Sequence, residues 1–356
     1  MPRDPQLKSQ RKPDVGTLTV AAGVVRFGDG SFPVLAGPGA VESEPQIVGA
    51  ARQIRDAGGL VIRSATYLPP DIAGSFSPLG REGVLLLEHA ASAVGIAAST
   101  FVFEPSEVAT VVSHTDLIEI GPSRMRSSDV LSEAGRTGTT VIVHRGSEAT
   151  VDDWVAAATT VTNAGGRVVL CDRGSEGHDP RTSGTVDISA VAVVQRLTDL
   201  PVLVNPAPLA GSLDLIAPLA LAARSAGADG LMVAVHPHPD AARFRLGGHL
   251  DPAAFAELME ALGIPSLRDE IDRIDREILN LVARRLANSV DIGLIKAERG
   301  VPLHAPDREE ELVADARADA RAIGLDPDYA EDIMRVILDH SKRAQAAAVE
   351  TERTET

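Results

Sequence analysis

Four cations, one acid and two neutral hydrogen-bonding side chains near the C-terminus are the residues most able to do chemistry together: Arg268, Arg285, Lys296, Arg308, Glu309, Ser341 and Gln345. Guanidinium and ammonium groups hold carboxylates and stabilise charge that develops on oxygen. On a helix advancing about 100° per residue, Lys296 lies roughly 20° from Arg285, so the two share a face. Arg268 lies about 100° around from Arg285 and roughly 25 Å along the axis. It is therefore better placed to serve a site in a second subunit. Ser341 and Gln345, four residues apart, share a face of another helix. Taken singly, each cation reads as an ordinary surface charge on a helical hairpin, and only the set suggests a function.

Three helices must position this set. The pattern predicts them from Ser266 to Glu298, from Pro306 to Ile323 and from Pro327 to Ala348, with a break at Gly300-Val301-Pro302. Gly324 suits the left-handed residue that ends a helix, and Asp326-Pro327 suits the start of the next. A first helix of about 33 residues is about 50 Å long, more than two shorter helices can cover, so a dimer is expected. The charged end, 349–356, reads as a disordered tail.

Before these helices the chain has a different rhythm. After a polar arm, Thr17 to Phe27 reads as a short hairpin, with Gly28-Asp29-Gly30 as turn material; arm and hairpin together span 1–33. Eight short apolar runs then alternate with amphipathic stretches: Val34–Gly37, Leu60–Ser64, Ile96–Phe101, Leu117–Ile120, Thr140–Val143, Val168–Cys171, Val202–Val204 and Leu231–Val235. Eight βα units over 34–263 predict an α/β fold, a parallel (β/α)8 TIM barrel, with a doubly wound open sheet as the competitor. A small all-α domain over 264–348 follows it.

Composition narrows the classes. The net charge of -16 disfavours non-specific nucleic-acid binding. No apolar run is long enough for a membrane span, and the N-terminus lacks the apolar segment of a secretion signal, so a cytoplasmic protein is expected. Cys171 is the single cysteine, which excludes an internal disulfide and a cysteine-based zinc site, and it reads as a core residue. Of 34 basic residues only Lys8, Lys12, Lys296 and Lys342 are lysines, so the middle of the chain cannot form a Schiff base.

The stretch from Leu267-Arg268-Asp269-Glu270-Ile271-Asp272 to Gln345 resembles the all-helical chorismate mutase family. The resemblance rests also on Ile292-Gly293 before Lys296, on Gly300-Val301-Pro302, on Asp307-Arg308-Glu309, and on Ser341 with Gln345. It implies an intertwined homodimer that rearranges chorismate to prephenate, a pericyclic step needing no cofactor. It further implies that Arg285, Arg308 and a partner subunit's copy of Arg268 bind the two carboxylates, assisted by Ser341. Lys296 and Gln345 would donate to the ether oxygen, and Glu309 would hold the ring hydroxyl. Ala305 stands where the family usually has Asp, which leaves room for 4-amino-4-deoxychorismate as the substrate.

The stretch from Val34 to Leu262 resembles the type Iβ 3-deoxy-arabino-heptulosonate-7-phosphate (DAHP) synthases, through Ala36-Gly37-Pro38-Gly39, Cys171-Asp172-Arg173-Gly174 and Ala226-Gly227-Ala228-Asp229-Gly230 onward to His236-Pro237. That family condenses phosphoenolpyruvate with erythrose 4-phosphate on a divalent metal. Its four metal-ligand positions are here Gly39, Pro208, Ala234 and Leu246, none with a ligating side chain. Its Lys-Pro-Arg is Leu68-Pro69-Pro70, the Lys of its Lys-Arg-Gly is His144, and the Arg of its Gly-Ala-Arg-Asn is Ser123. The resemblance therefore implies a barrel without metal and without the condensation, acting as scaffold or regulator. Arg63, His144, Arg145 and Arg173 are left as a candidate anion-binding set, with Asp172 expected to orient Arg173. His236 and His238 lack a carboxylate companion and do not read as a metal pair. A third reading makes the whole chain a non-catalytic regulator that senses chorismate or prephenate and docks onto a genuine DAHP synthase.

Overall fold

The computed structural model describes residues 17–74, 76–175, 185–207, 212–244 and 248–355, without the side chains of Pro70, Leu267, Arg268, Glu270, Arg273 and 353–355. Two compact units divide between Arg268 and Asp269. Among the described residues no helix is long and apolar enough to cross a membrane.

The first unit opens with an antiparallel hairpin, β1 (Val20–Ala22) and β2 (Val25–Phe27), turned at Gly23-Val24. Gly28 to Gly30, read from the sequence as turn material, follow the hairpin. Eight parallel strands then close into a barrel: β3 (Val34–Gly37), β4 (Val61–Arg63), β5 (Ala97–Val102), β6 (Leu117–Ile120), β7 (Thr140–His144), β8 (Arg167–Asp172), β9 (Val202–Val204) and β10 (Gly230–Ala234). β10 pairs with both β9 and β3, so the sheet has no edge, and the open doubly wound alternative is excluded. The helices α1 (Glu44–Asp56), α2 (Pro70–Ala73), α3 (Arg81–Val94), α4 (Pro105–Val112), α5 (Ser128–Arg136), α6 (Val151–Asn163), α7 (Ile188–Leu197), α8 (Ile216–Ser225) and α9 (Pro252–Ala261) alternate with them.

Strand parity sorts the side chains. Ile62, Ala98, Ile118, Val141 and Val168 point outward and share one apolar core with the helices. Val61, Ala97, Leu117, Ile142 and Val169 share a second cluster with Val20, Val25 and Phe27 of the hairpin. The hairpin therefore closes the N-terminal end of the barrel, and Thr140 fixes it by donating to the Ala21 carbonyl at 3.0 Å. One step further along the strands, the same inward parity delivers Arg63, Ser99, Glu119, His144 and Cys171, all buried, toward the C-terminal end. That end is where (β/α)8 barrels bind ligands.

The second unit consists of α10 (Leu267–Glu298), α11 (Pro306–Ile323) and α12 (Pro327–Glu355). Gly300 and Gly324, with φ of 64° and 77°, end α10 and α11 as left-handed residues. α12 runs on to Glu355, where the sequence pattern predicts a disordered tail from Val349. Val349 is buried, and this apolar anchor accounts for the extra turns. Along α10, Gly293 is the one buried residue among those described, and Ile271, Ile274, Ile278 and Leu281 form an exposed stripe at helical spacing.

Candidate functional site

In the helical unit, α10 and α12 bring four of the seven sequence-predicted residues into one region. Arg285 donates from Nη1 to Ser341 Oγ at 2.9 Å, and Ser341 Oγ donates in turn to the Ile337 carbonyl at 2.8 Å. Gln345 donates from Nε2 to the Ser289 carbonyl at 2.8 Å and to Ser289 Oγ at 2.9 Å. Gly293 permits this approach, because a Cβ there would lie 2.9 Å from Gln345 Cγ. Lys296, one turn beyond Gly293, donates to the Leu303 carbonyl at 3.5 Å. A pocket of about 650 Å³ adjoins that contact, with Ala297, Val301, Leu303, Ala346 and Val349 among its walls.

Arg285 and Lys296 are half-buried, and their partners are a hydroxyl and a carbonyl. Neither forms an ion pair among the described residues, and the one carboxylate lining the adjoining pocket is that of Glu350. Glu309 is differently placed. Its carboxylate pairs with Lys342 at 3.0 Å and with His304 at 2.9 Å, and the Lys342 hydrogen bond holds it below the usual carboxylate range. Arg308 is exposed and pairs with Glu311, one turn along α11, rather than with Arg285. The Arg308–Glu309 pair is therefore split, one side chain facing solvent and the other facing α12. The side chain of Arg268 lies outside the described residues. Sequence reasoning missed Ser289, His304 and Lys342; only Lys342, next to Ser341, carried a signal in its position.

At the C-terminal end of the barrel the cations are balanced. Glu119 accepts from Arg63 Nε at 3.1 Å, Arg63 Nη2 at 2.9 Å, Ser99 Oγ at 2.9 Å and His144 Nε2 at 3.0 Å. Four donors meet about four lone-pair positions, so the carboxylate is saturated. Burial alone would raise its pKa, but Arg63 and His144 together hold it well below the usual range. Burial pushes His144 down to about 4, and the bond to Glu119 only partly offsets this, so the ring is neutral with its proton on Nε2.

Arg145 donates to Asp172 at 3.1 Å, to Asp187 at 2.9 Å and to the Ala149 carbonyl at 3.1 Å. Asp172 therefore orients Arg145, and accepts from the Gly174 amide at 2.9 Å, rather than orienting Arg173 as the sequence suggests. The two carboxylates nearest Arg145 balance its charge. Arg173 differs, since its Nε is buried with no hydrogen-bond partner among the described residues. Burial pushes the Cys171 thiol up, which makes it an inert core group.

The residues at the family's metal positions do not fit a metal. Gly39 has no side chain, its amide donates to His249 Nε2 at 3.0 Å and its carbonyl accepts from the Ala65 amide, and Ala234 ends β10 with a methyl group. Pro208 and Leu246 lie outside the described residues, and neither side chain has a donor atom. Among the described residues no group of three or more His, Cys, Asp or Glu side chains is placed to hold an ion.

A closed (β/α)8 barrel followed by three helices that gather Arg285, Lys296, Ser341 and Gln345 defines the class, and comparison with known proteins gives the family. The DAHP synthetase I family model matches residues 12–264, and the chorismate mutase type II model matches residues 267–346. The chain belongs to the DAHP synthetase I family and carries a chorismate mutase type II domain fused behind its barrel. The phospho-2-dehydro-3-deoxyheptonate aldolase of Thermotoga maritima is 33% identical over 241 residues, 67% of this chain and 71% of that protein. The crystal structure of that aldolase superposes with a TM-score of 0.66 at 31% identity, covering 69% of this chain and 72% of the other. For the helical part, the T-protein of Enterobacter agglomerans is 37% identical over 78 residues, 22% of this chain and 21% of its own length.

Proposed function

We propose that this chain is a chorismate mutase, converting chorismate to prephenate in its helical domain, and that its barrel is a scaffold or regulator without DAHP synthase activity. The observation that carries the reading is the pair Arg285 and Lys296, half-buried beside Ser341 and Gln345 with only neutral partners. A dianionic substrate is what such a region lacks. The rearrangement needs no nucleophile, so the protein's task is to hold one conformer and stabilise charge on the breaking ether oxygen. Arg285 with Ser341 takes a carboxylate, while Lys296 and Gln345 donate to the ether oxygen. Arg308, exposed and paired with Glu311, would leave that pair to help bind a carboxylate. The second carboxylate is met by Arg268 from a partner subunit, and the exposed stripe Ile271, Ile274, Ile278 and Leu281 supports a homodimer built on α10.

For the barrel, the absence of donor atoms at Gly39, Pro208, Ala234 and Leu246 supports the loss of metal-dependent condensation. The balanced charges of Arg63 and Arg145 point the same way.

The decisive measurement is the loss of chorismate's ultraviolet absorbance on adding the full-length protein. No turnover at high enzyme concentration would sink the reading and favour a regulator docking on a genuine DAHP synthase. Running 4-amino-4-deoxychorismate in parallel tests the alternative substrate that Ala305 suggests. Phosphoenolpyruvate consumption with erythrose 4-phosphate and manganese, expected to be nil, tests the barrel.

A further inference from the structure

Three strands other than β6 aim hydrogen-bond donors at one point inside the barrel. Arg63 comes from β4, Ser99 from β5 and His144 from β7, and what sits at the point is the carboxylate of Glu119. The geometry is that of an oxyanion pocket: a guanidinium fork on two oxygens, with a hydroxyl on one and an imidazole N–H on the other. Phe101 walls it, 5.1 Å from the Arg63 guanidinium and 5.2 Å from the His144 ring. Arg173, two residues beyond the inward-facing Cys171, has its own Nε buried and without a partner among the described residues.

We propose that Glu119 is a built-in counter-anion, the chain's own substitute for an anionic ligand, which closes an oxyanion slot at the C-terminal end of the barrel. The slot remains assembled because Glu119 fills it. A buried guanidinium without an anion is unstable, and no other carboxylate among the described residues contacts Arg63. Truncating the side chain, by Glu119→Ala, vacates the slot and leaves Arg63 without its counter-charge. The slot then takes a small oxyanion from solution. This deepens the reading of the barrel as non-catalytic and fails separately from it, since the missing metal donors stand whether or not the slot is closed.

The test is thermal unfolding of the full-length protein with inorganic phosphate as the probe, against chloride at matched ionic strength. Trp154, the single tryptophan, is buried in the barrel and bonded to the Val143 carbonyl, so its fluorescence reports this unit. In chloride, Glu119→Ala should unfold at a lower temperature than the wild type. Raising phosphate to about fifty times its dissociation constant should lift that midpoint by about 5 °C, and move the wild type by under about 1 °C. No phosphate response in the variant, or an equal response in the wild type, overturns the proposal. If Glu119→Ala does not fold in either salt, the charge-neutral pair Arg63→Met with Glu119→Gln decides. A folded double variant traces the failure to the unbalanced Arg63 and supports the proposal, whereas an unfolded one assigns it to packing and overturns it.

Discussion

Arg63 in the barrel and Arg285 in the helical domain are both anchored arginines facing an interior, yet their partners differ in charge. Arg63 is clamped by Glu119, and Arg145 is shared between Asp172 and Asp187. Arg285 rests on the hydroxyl of Ser341, and Lys296 on the carbonyl of Leu303. A neutral partner fixes the position of a cation without consuming its charge, so the charge remains available to an anion. A carboxylate partner consumes it. Arg63 and Arg145 in the larger domain are committed to structure, whereas Arg285 and Lys296 in the smaller one are kept free.

Breaking the comparison from the helical side should give the largest effect. Arg285→Ala or Lys296→Ala should lower chorismate turnover by at least about a hundredfold, the scale of losing one aimed donor, with the circular dichroism of the helices unchanged. Turnover within a few-fold of wild type would remove both residues from their proposed roles. From the barrel side, Arg63→Met should cost about 3–5 kcal/mol in a denaturant titration, because it leaves Glu119 buried with an uncompensated charge. A cost below about 1 kcal/mol would show that the pair does not hold the barrel together.

His144 gives a pH test of the same network. Its folded pKa, about 4, is below the ordinary value of 6.5. Between these values the unfolded chain takes up a proton that the folded chain refuses, so stability must fall as pH drops from about 6.5 to 4. One such group contributes a slope of at most about 1.4 kcal/mol per pH unit. His144→Gln keeps an N–H donor for Glu119 and should flatten the barrel's unfolding midpoint over that window. An unchanged slope would assign the sensitivity to other groups. The smallest stability effect is expected at Arg308. Its exposed pair with Glu311 is worth under about 0.5 kcal/mol, so Arg308→Ala should leave unfolding unchanged while lowering turnover. Unaltered turnover would leave Arg308 as a surface charge.

Much of the architecture was legible because it is local. The barrel strands bounded as Leu117–Ile120 and Val202–Val204 follow from short β-branched runs between turn residues, and the closing glycines Gly300 and Gly324 follow from helix-end chemistry. The association of Arg285, Lys296, Ser341 and Gln345 was legible through helical spacing and family pattern, since two helices carry all four. The residue that decides the barrel was not found. Glu119 is a lone acid within Leu-Ile-Glu-Ile, and inward parity beside an apolar strand was the one available signal. Asp172 was assigned to its neighbour in sequence, Arg173, whereas alternation along the strand directs it to Arg145.

By itself the sequence determined the βα rhythm, the three C-terminal helices, the absence of donor atoms at four positions and the cation set on the tail. Each of these depends on residue identity or on spacing along one element. Only the tertiary structure decided which charges are balanced. Arg63 and Glu119 are 56 residues apart, and so are Arg285 and Ser341. Nothing in the separation says that the first pair joins a cation to a carboxylate and the second joins one to a hydroxyl. Barrel closure and the crossing of α10 with α12 choose those neighbours, and burial sets what each choice is worth.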